Sequence, residues 1–499
     1  MSEQPRPQAR TTSGLVEGVW QRTHAVFRGI PYAQPPVGAL RFAAPAPALP
    51  WEGVRPAVAF GPVAPQSGPA PAGADGGPDW LTLNVCTPDP GVAAGLPVLV
   101  WIHGGAYLSG ASSDPLYDPA LLADAGLVVV TLNYRVGAEG FALFPDAPPN
   151  RGFLDQIAAL RWVRANITSF GGDPGRVTVA GESAGAGSIA ALLAMPTARG
   201  LFRRAVAHSV PGMHCTPALG QELTAVLADR LGTAPSAAGF RAVAPGRLAE
   251  AVTALGAELP EHADRWGRFA RTGIAICPVV DGDVLTETPW AALTGGRAEG
   301  IELLVGHTRD EFRLFTVLAG RLGTFTEEDA RDALALFAPA PDGPDAYRAA
   351  HPGAGPEYLV ETVYSDALFR MPSLLLARAN LAAGGTSFLF ELALQSRAFG
   401  GTVGACHSLD VPLAFGTLDS PTGRGLLGDP PGPGAEAASA ELLRAWTGFV
   451  ATGDPGWPAY EPEGQLTRVV DAESVTVPYP EQASARIWAD RAPAPFDLS

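Results

Sequence analysis

The stretch Phe170 to Gly185, FGGDPGRVTVAGESAG, constrains this chain more than any other. Arg176 to Ala180 (RVTVA) is short, apolar and partly β-branched, as suits a buried strand. The run from Ser183 onward (SAGAGSIAALLAM) is rich in small residues and suits a helix. A sharp turn must join the two, with Ser183 at its apex. Gly181 and Gly185 stand where a side chain would block close strand and helix approach, so Ser183 is expected to take a strained backbone conformation with its hydroxyl exposed. In a chain with 59 glycines the five-residue pattern GxSxG recurs by chance, so its weight comes from what surrounds it.

A serine hydroxyl is a poor nucleophile at neutral pH. It needs a neutral imidazole to take its proton and a carboxylate to hold that imidazole. The histidines that follow the serine in the chain are His208, His214, His262, His307, His351 and His407. The segment LLVGHTRDEF offers Asp310 and Glu311 side by side. Adjacent side chains at the end of a strand point apart, so one of the two can face the histidine. Upstream, the small-residue run in HGGAY follows an apolar strand and lets backbone N–H groups approach a substrate closely.

Taken with its flanks, the serine segment resembles the active-site signature of the type-B carboxylesterase and cholinesterase family, and the resemblance runs nearly the full length of the chain. It includes Phe27 to Phe42 (FRGIPYAQPPVGALRF), Leu81 to Val85, Ile102 to Tyr107 (IHGGAY), Asn133 to Val136, Asp155 and Gln156, Pro278 to Leu285, Thr308 to Glu311, His407 to Gly416 (HSLDVPLAFG) and Trp446 to Pro455. Residues 215–261 match little. The resemblance implies an α/β-hydrolase fold, a mostly parallel central sheet flanked by helices with large insertions, and hydrolysis of carboxylic esters through an acyl-enzyme. It implies Ser183 as nucleophile, His407 as base and Glu311, rather than Asp310, as the orienting acid. The oxyanion donors it implies are the backbone N–H groups of Gly105, Ala106 and Ala184. His103 is then structural, Tyr107 shapes the pocket, and Glu182 either tunes the site or makes a buried hydrogen bond. The family usually carries Glu three residues after its histidine; Asp410 stands there, which implies a structural adjustment.

The 499 residues are expected to form a single domain, because insertions routinely enlarge this fold and no long linker interrupts the chain. Strand-like runs such as Leu96 to Ile102 and Leu127 to Leu132 alternate with helix-compatible ones such as Leu154 to Asn166. Pro/Gly-rich stretches at Pro62 to Pro78 and Leu426 to Glu436 read as surface loops. With 34 basic and 50 acidic residues the net charge is −16, which argues against nucleic acid or an anionic membrane as partner. The expected partner is a small-molecule ester and the expected location the cytoplasm, since the N-terminus has no apolar signal core and no run reaches membrane-span length; a bacterial source and a monomer are expected with them.

Four cysteines lack metal-ligand spacing and read as buried thiols, so no metal and no cofactor are expected. Secreted relatives close a loop by a disulfide where this chain has Ala64 and Trp80, consistent with a reducing compartment. The same stretch has no counterpart of the choline-binding loop. An amidase or carbamate hydrolase would use the same triad, and a non-catalytic binding relative would carry a broken one.

Overall fold

The computed structural model describes residues 5–68, 77–296, 300–339, 341–489 and 491–499. They fall into two compact units, one of Met1–Arg204, His214–Thr288 and Phe496–Ser499, the other of Ala205–Met213 and Pro289–Pro495.

In the first unit the apolar run LPVLVWI forms the strand Leu96–Ile102. It pairs in parallel with Val128–Leu132 on one side and Gly172–Glu182 on the other. From Pro97 to Ile102, Val128 to Leu132 and Val177 to Glu182 the three strands are buried on both faces, as strands covered from both sides must be. Toward the edge, Thr82–Thr87, His24–Pro31 and Val19–Gln21 follow with antiparallel pairing. Parallel pairing therefore holds for the strands that carry the serine turn, and antiparallel pairing takes over beside them.

Two helices of this unit fix the serine turn. Arg151–Asn166 carries Asp155, which accepts from Arg135 Nη2 and Nε at 2.7 Å each and from its backbone N at 3.0 Å, with both side chains fully buried. A forked pair of this kind has fixed geometry, and removing either partner strands a buried charge at a cost of about 3–5 kcal/mol. The next residue, Gln156, donates to Ser188 Oγ at 3.0 Å, and Ser188 donates to the Ala184 carbonyl at 2.9 Å. The helix Ala184–Ala194 is thereby held from its first turn.

In the second unit Glu302–Thr308, Thr386–Leu392 and Leu466–Val470 pair in parallel, and Val475–Pro478 closes the edge antiparallel. The chain enters this unit within the strand Arg204–His208. The helix Met371–Ala382 packs against Glu302–Thr308 and Thr386–Leu392.

Of the two expected loops, residues 69–76 lie outside the described residues, and the described part of Pro62 to Pro78 forms no helix or strand. The second loop is shorter than expected. Ser420 caps a helix that starts at Pro421 and runs through Leu427, its hydroxyl accepting from Gly423 N at 3.0 Å, and the helix Ala435–Thr452 begins before the expected loop ends. All four cysteines are free and buried. Among the described residues no helix is long and apolar enough to cross a membrane.

Candidate active site

Ser183 follows the strand Gly172–Glu182 and precedes the helix Ala184–Ala194, with φ 54° and ψ −124°. Such a conformation is strained for a residue with a Cβ and persists because its surroundings over-determine it. The glycines explain how. A Cβ on Gly185 would lie 2.1 Å from the Ile102 carbonyl oxygen, and one on Gly181 would lie 2.7 Å from the Gly185 carbonyl carbon. Strand, turn and helix can meet at this distance because both positions lack a side chain.

The HGGAY run lies against the same turn. A Cβ on Gly104 would come within 3.3 Å of Ser183 Cβ and 2.9 Å of Glu182 Oε2. Gly105, Ala106 and Tyr107 follow at φ 109°, 57° and 60°. Three successive residues at positive φ turn the chain sharply, and the Gly105 carbonyl accepts from Leu108 N at 2.9 Å and Ser109 N at 3.0 Å. Among the described residues the Gly105 and Ala106 N–H groups have no protein acceptor. Ala184 is the first residue of its helix, where an N–H has no intrahelical acceptor.

His103 supports this loop. It is buried, stacks on Tyr134 at 4.5 Å, and holds Nδ1 2.8 Å from the Gly104 carbonyl oxygen. Burial pushes its imidazole down to about 4, so it is neutral at pH 7. Tyr134 donates its hydroxyl to the His103 carbonyl at 2.9 Å. Tyr107 is a core residue packed on Phe141 and Phe153 at 5.0 and 6.2 Å. Glu182 is buried beside Gly104.

In the second unit Glu311 and His407 meet. His407 Nδ1 lies 2.5 Å from Glu311 Oε2, with Glu311 0% and His407 5% exposed. The other Glu311 oxygen, Oε1, accepts from Ser209 Oγ at 2.6 Å and from Thr308 N at 2.9 Å. Burial alone would raise this carboxyl; the His407 charge and hydrogen bond, together with Ser209, outweigh it and hold Glu311 below its ordinary value. The His407 ring lies 4.4 Å from Phe369 and 5.3 Å from Phe315.

Asp310 faces elsewhere. Its Oδ2 accepts from Ala405 N at 2.9 Å while its own N–H donates to the Ala405 carbonyl at 2.9 Å. Asp310 thus braces the loop that leads to His407, and Gly404 must be glycine there, since a Cβ would fall 2.4 Å from Asp310 Oδ2. Asp410 takes a different histidine. Its Oδ2 lies 2.7 Å from His208 Nδ1, and Trp446 donates to His208 Nε2 at 3.1 Å. That ring is a fully bonded core histidine directly before Ser209.

Ser209 is the functional candidate that sequence reasoning missed. It sits at φ 56°, and its N–H donates to the Gly306 carbonyl at 2.8 Å. A lone serine after a strand carries no pattern that would distinguish it.

A family model described as the carboxylesterase family matches residues 5–337. The chain is 36% identical to the para-nitrobenzyl esterase of Bacillus subtilis over 93% of its own length and 94% of that protein. It is also 36% identical to the phenmedipham hydrolase of Pseudarthrobacter oxydans, covering 95% of this chain and 96% of the other. Among solved structures, the carboxylesterase Est55 of Geobacillus stearothermophilus aligns with a TM-score of 0.86 at 34% identity, covering 97% of this chain and all of that one. The chain belongs to the carboxylesterase family, has the α/β-hydrolase fold, and is a serine carboxylesterase.

Proposed function

We propose that Ser183 is the nucleophile, with His407 as general base and Glu311 as the acid that orients it. The observation that carries this reading is the buried Glu311–His407 hydrogen bond, which singles out one of two adjacent carboxylates and one of the histidines that follow Ser183. Ser183 Oγ attacks the ester carbonyl carbon as its proton passes to His407 Nε2; the alcohol leaves with that proton. Water, deprotonated by the same nitrogen, then releases the acid and regenerates the hydroxyl. The negative oxygen of each tetrahedral intermediate is received by the N–H groups of Gly105, Ala106 and Ala184, each contributing about 3 kcal/mol. The positive φ values of Gly105 and Ala106 and their N–H groups without protein acceptors support that role. No step calls for a metal or cofactor.

The substrate class is small-molecule esters, and the chain works as a single catalytic domain, a monomer in a bacterial cytoplasm. The bacterial relatives and the net charge of −16 support this setting, and that charge disfavours nucleic acid and anionic membranes as partners. The test is turnover by purified protein of matched ester, amide and carbamate substrates, with para-nitrobenzyl esters and phenmedipham included. Esters are expected to give the highest kcat/KM; a matched amide or carbamate exceeding its ester overturns the substrate assignment.

A further inference from the structure

Three side chains with no part in the proposed chemistry converge in the second unit. His307 and Glu391 are direct partners on the neighbouring parallel strands Glu302–Thr308 and Thr386–Leu392, so both side chains lie on one face of the sheet. Glu481, immediately before the helix Gln482–Trp488, adds a second carboxylate. One potential ligand atom from each of the three lies within 4.8 Å of the other two. His307 is 2% exposed and Glu391 0%.

The hydrogen bonds around the cluster engage both ring nitrogens of His307 and one oxygen of Glu391. His307 Nδ1 is 3.0 Å from the Thr308 carbonyl oxygen and donates its proton there, which puts the lone pair on Nε2. That lone pair accepts the Tyr479 hydroxyl at 2.8 Å. Glu391 Oε1 accepts from Arg309 Nε at 2.6 Å, whereas Oε2 is buried. Glu481 Oε2 is buried as well, and the Glu481 side chain hydrogen-bonds to that of Glu391. An imidazole N–H on a backbone carbonyl and an outer carboxylate oxygen on an arginine are the contacts that orient metal ligands.

Arg309 faces Glu391 at 2.6 Å, and Arg370, paired with Asp366 at 2.7 Å, also acts on Glu481. Burial, and then Glu391, push the Glu481 carboxyl up to about 8, and the proton it holds bonds it to Glu391. A cavity of about 290 Å³ lined by Arg309 and Arg370 reaches Glu481.

We propose that His307 Nε2, Glu391 Oε2 and Glu481 Oε2 form a binding site for one divalent cation of the zinc class, which ties the two strands to the segment before the helix Gln482–Trp488. One nitrogen and two carboxylate oxygens suit Zn²⁺ or Co²⁺ better than Mg²⁺, which retains its water and prefers all-oxygen ligands. The cation displaces the Tyr479 hydroxyl from Nε2 and releases the carboxyl proton to solvent. Its role is structural: Thr308, next to His307, donates its N–H to Glu311.

The test is calorimetric titration of the EDTA-treated full-length protein with ZnCl₂, CoCl₂ and MgCl₂, with the visible spectrum of the Co²⁺ form as a second readout. One Zn²⁺ per chain is expected, with proton release, a Co²⁺ spectrum of mixed nitrogen and oxygen ligation, and weaker Mg²⁺ binding. Glu391→Gln should weaken Zn²⁺ by about 100-fold or more. Glu481→Gln, outside any strand, provides the same test without altering the sheet, and its fold is checked by circular dichroism. His262→Gln, a histidine remote in sequence from the cluster, should leave the affinity unchanged. Absence of Zn²⁺ and Co²⁺ binding would overturn the proposal and leave a proton shared by two carboxylates. Binding that survives Glu481→Gln would equally overturn it.

Discussion

His407 Nδ1 and Glu311 Oε2 lie 2.5 Å apart, while Asp310, one residue before Glu311, turns away to bind the backbone of Ala405. Replacing Glu311 by Gln should therefore lower kcat by about 10⁴-fold, since an amide presents the imidazole with the wrong tautomer. Asp310→Asn keeps an acceptor for the Ala405 N–H and should cost less than about 10-fold. Steady-state kinetics of both variants check the pair, and the reverse ranking would exchange the two roles.

Ser209 donates to the Glu311 oxygen that His407 does not use. A hydrogen bond to a charged acceptor contributes about 1.5–3 kcal/mol, so Ser209→Ala should lower kcat by roughly 10- to 100-fold with KM little changed. The hydroxyl is one of the groups that hold the Glu311 carboxyl low. Its removal should raise that carboxyl and move the acidic limb of the pH–rate profile toward neutrality. An unchanged profile would mean that Ser209 does not act through Glu311.

How legible each part was follows from where its partners lie in the chain. The serine turn could be read because its determinants, Gly181, Ser183 and Gly185, are local and the strain requires those residue types. The choice between Asp310 and Glu311 came from resemblance; local sequence gives two acids and no means of ranking them. Ser209 was invisible, because its bond to Glu311 spans 102 residues and no periodicity marks it. The same holds for His208, whose partners Asp410 and Trp446 are 202 and 238 residues away. Arg135 and Asp155 were noted as matching residues, but that they pair to anchor the helix behind the serine emerges from the fold. Of the sheet, the apolar parallel strands were legible, whereas the antiparallel edge depends on pairing that strand composition does not encode.

Ala106 has φ 57°, a region costly for β-branched residues. Ala106→Val should twist the N–H away from the oxyanion and crowd a bulky alcohol, so kcat/KM for tert-butyl acetate should fall more than for a primary acetate. Ala106→Gly fits the backbone without strain and should keep primary-ester turnover within about 3-fold. The wild type should hydrolyse the tertiary ester above the Ser183→Ala background. The ratio of the two specificity constants across the three proteins decides this. A constant ratio would place alcohol selection elsewhere.

His103 and His214 are both buried, and burial lowers each imidazole to about 4. The unfolded chain binds protons on both below about 6.5 whereas the folded chain does so below about 4, so stability is lost as pH falls through this window. Two such groups give a slope of up to about 2.7 kcal/mol per pH unit. Glu481, protonated in the folded state up to about 8, opposes it above the ordinary carboxylate range. Urea unfolding from pH 6.5 to 4.5 should show the loss, and His214→Gln should make it shallower. An equal slope in that variant would remove His214 as a source.

The most direct measurement is the mass of the protein after exposure to an organophosphate, with peptide mapping of the adduct, in wild type and Ser183→Ala. One adduct on Ser183 in the wild type is expected, none in the variant, and ester turnover in the variant lowered by roughly five to six orders of magnitude with thermal unfolding unchanged. An adduct on another residue, or near-wild-type turnover by the folded variant, would contradict the assignment of Ser183 as the nucleophile.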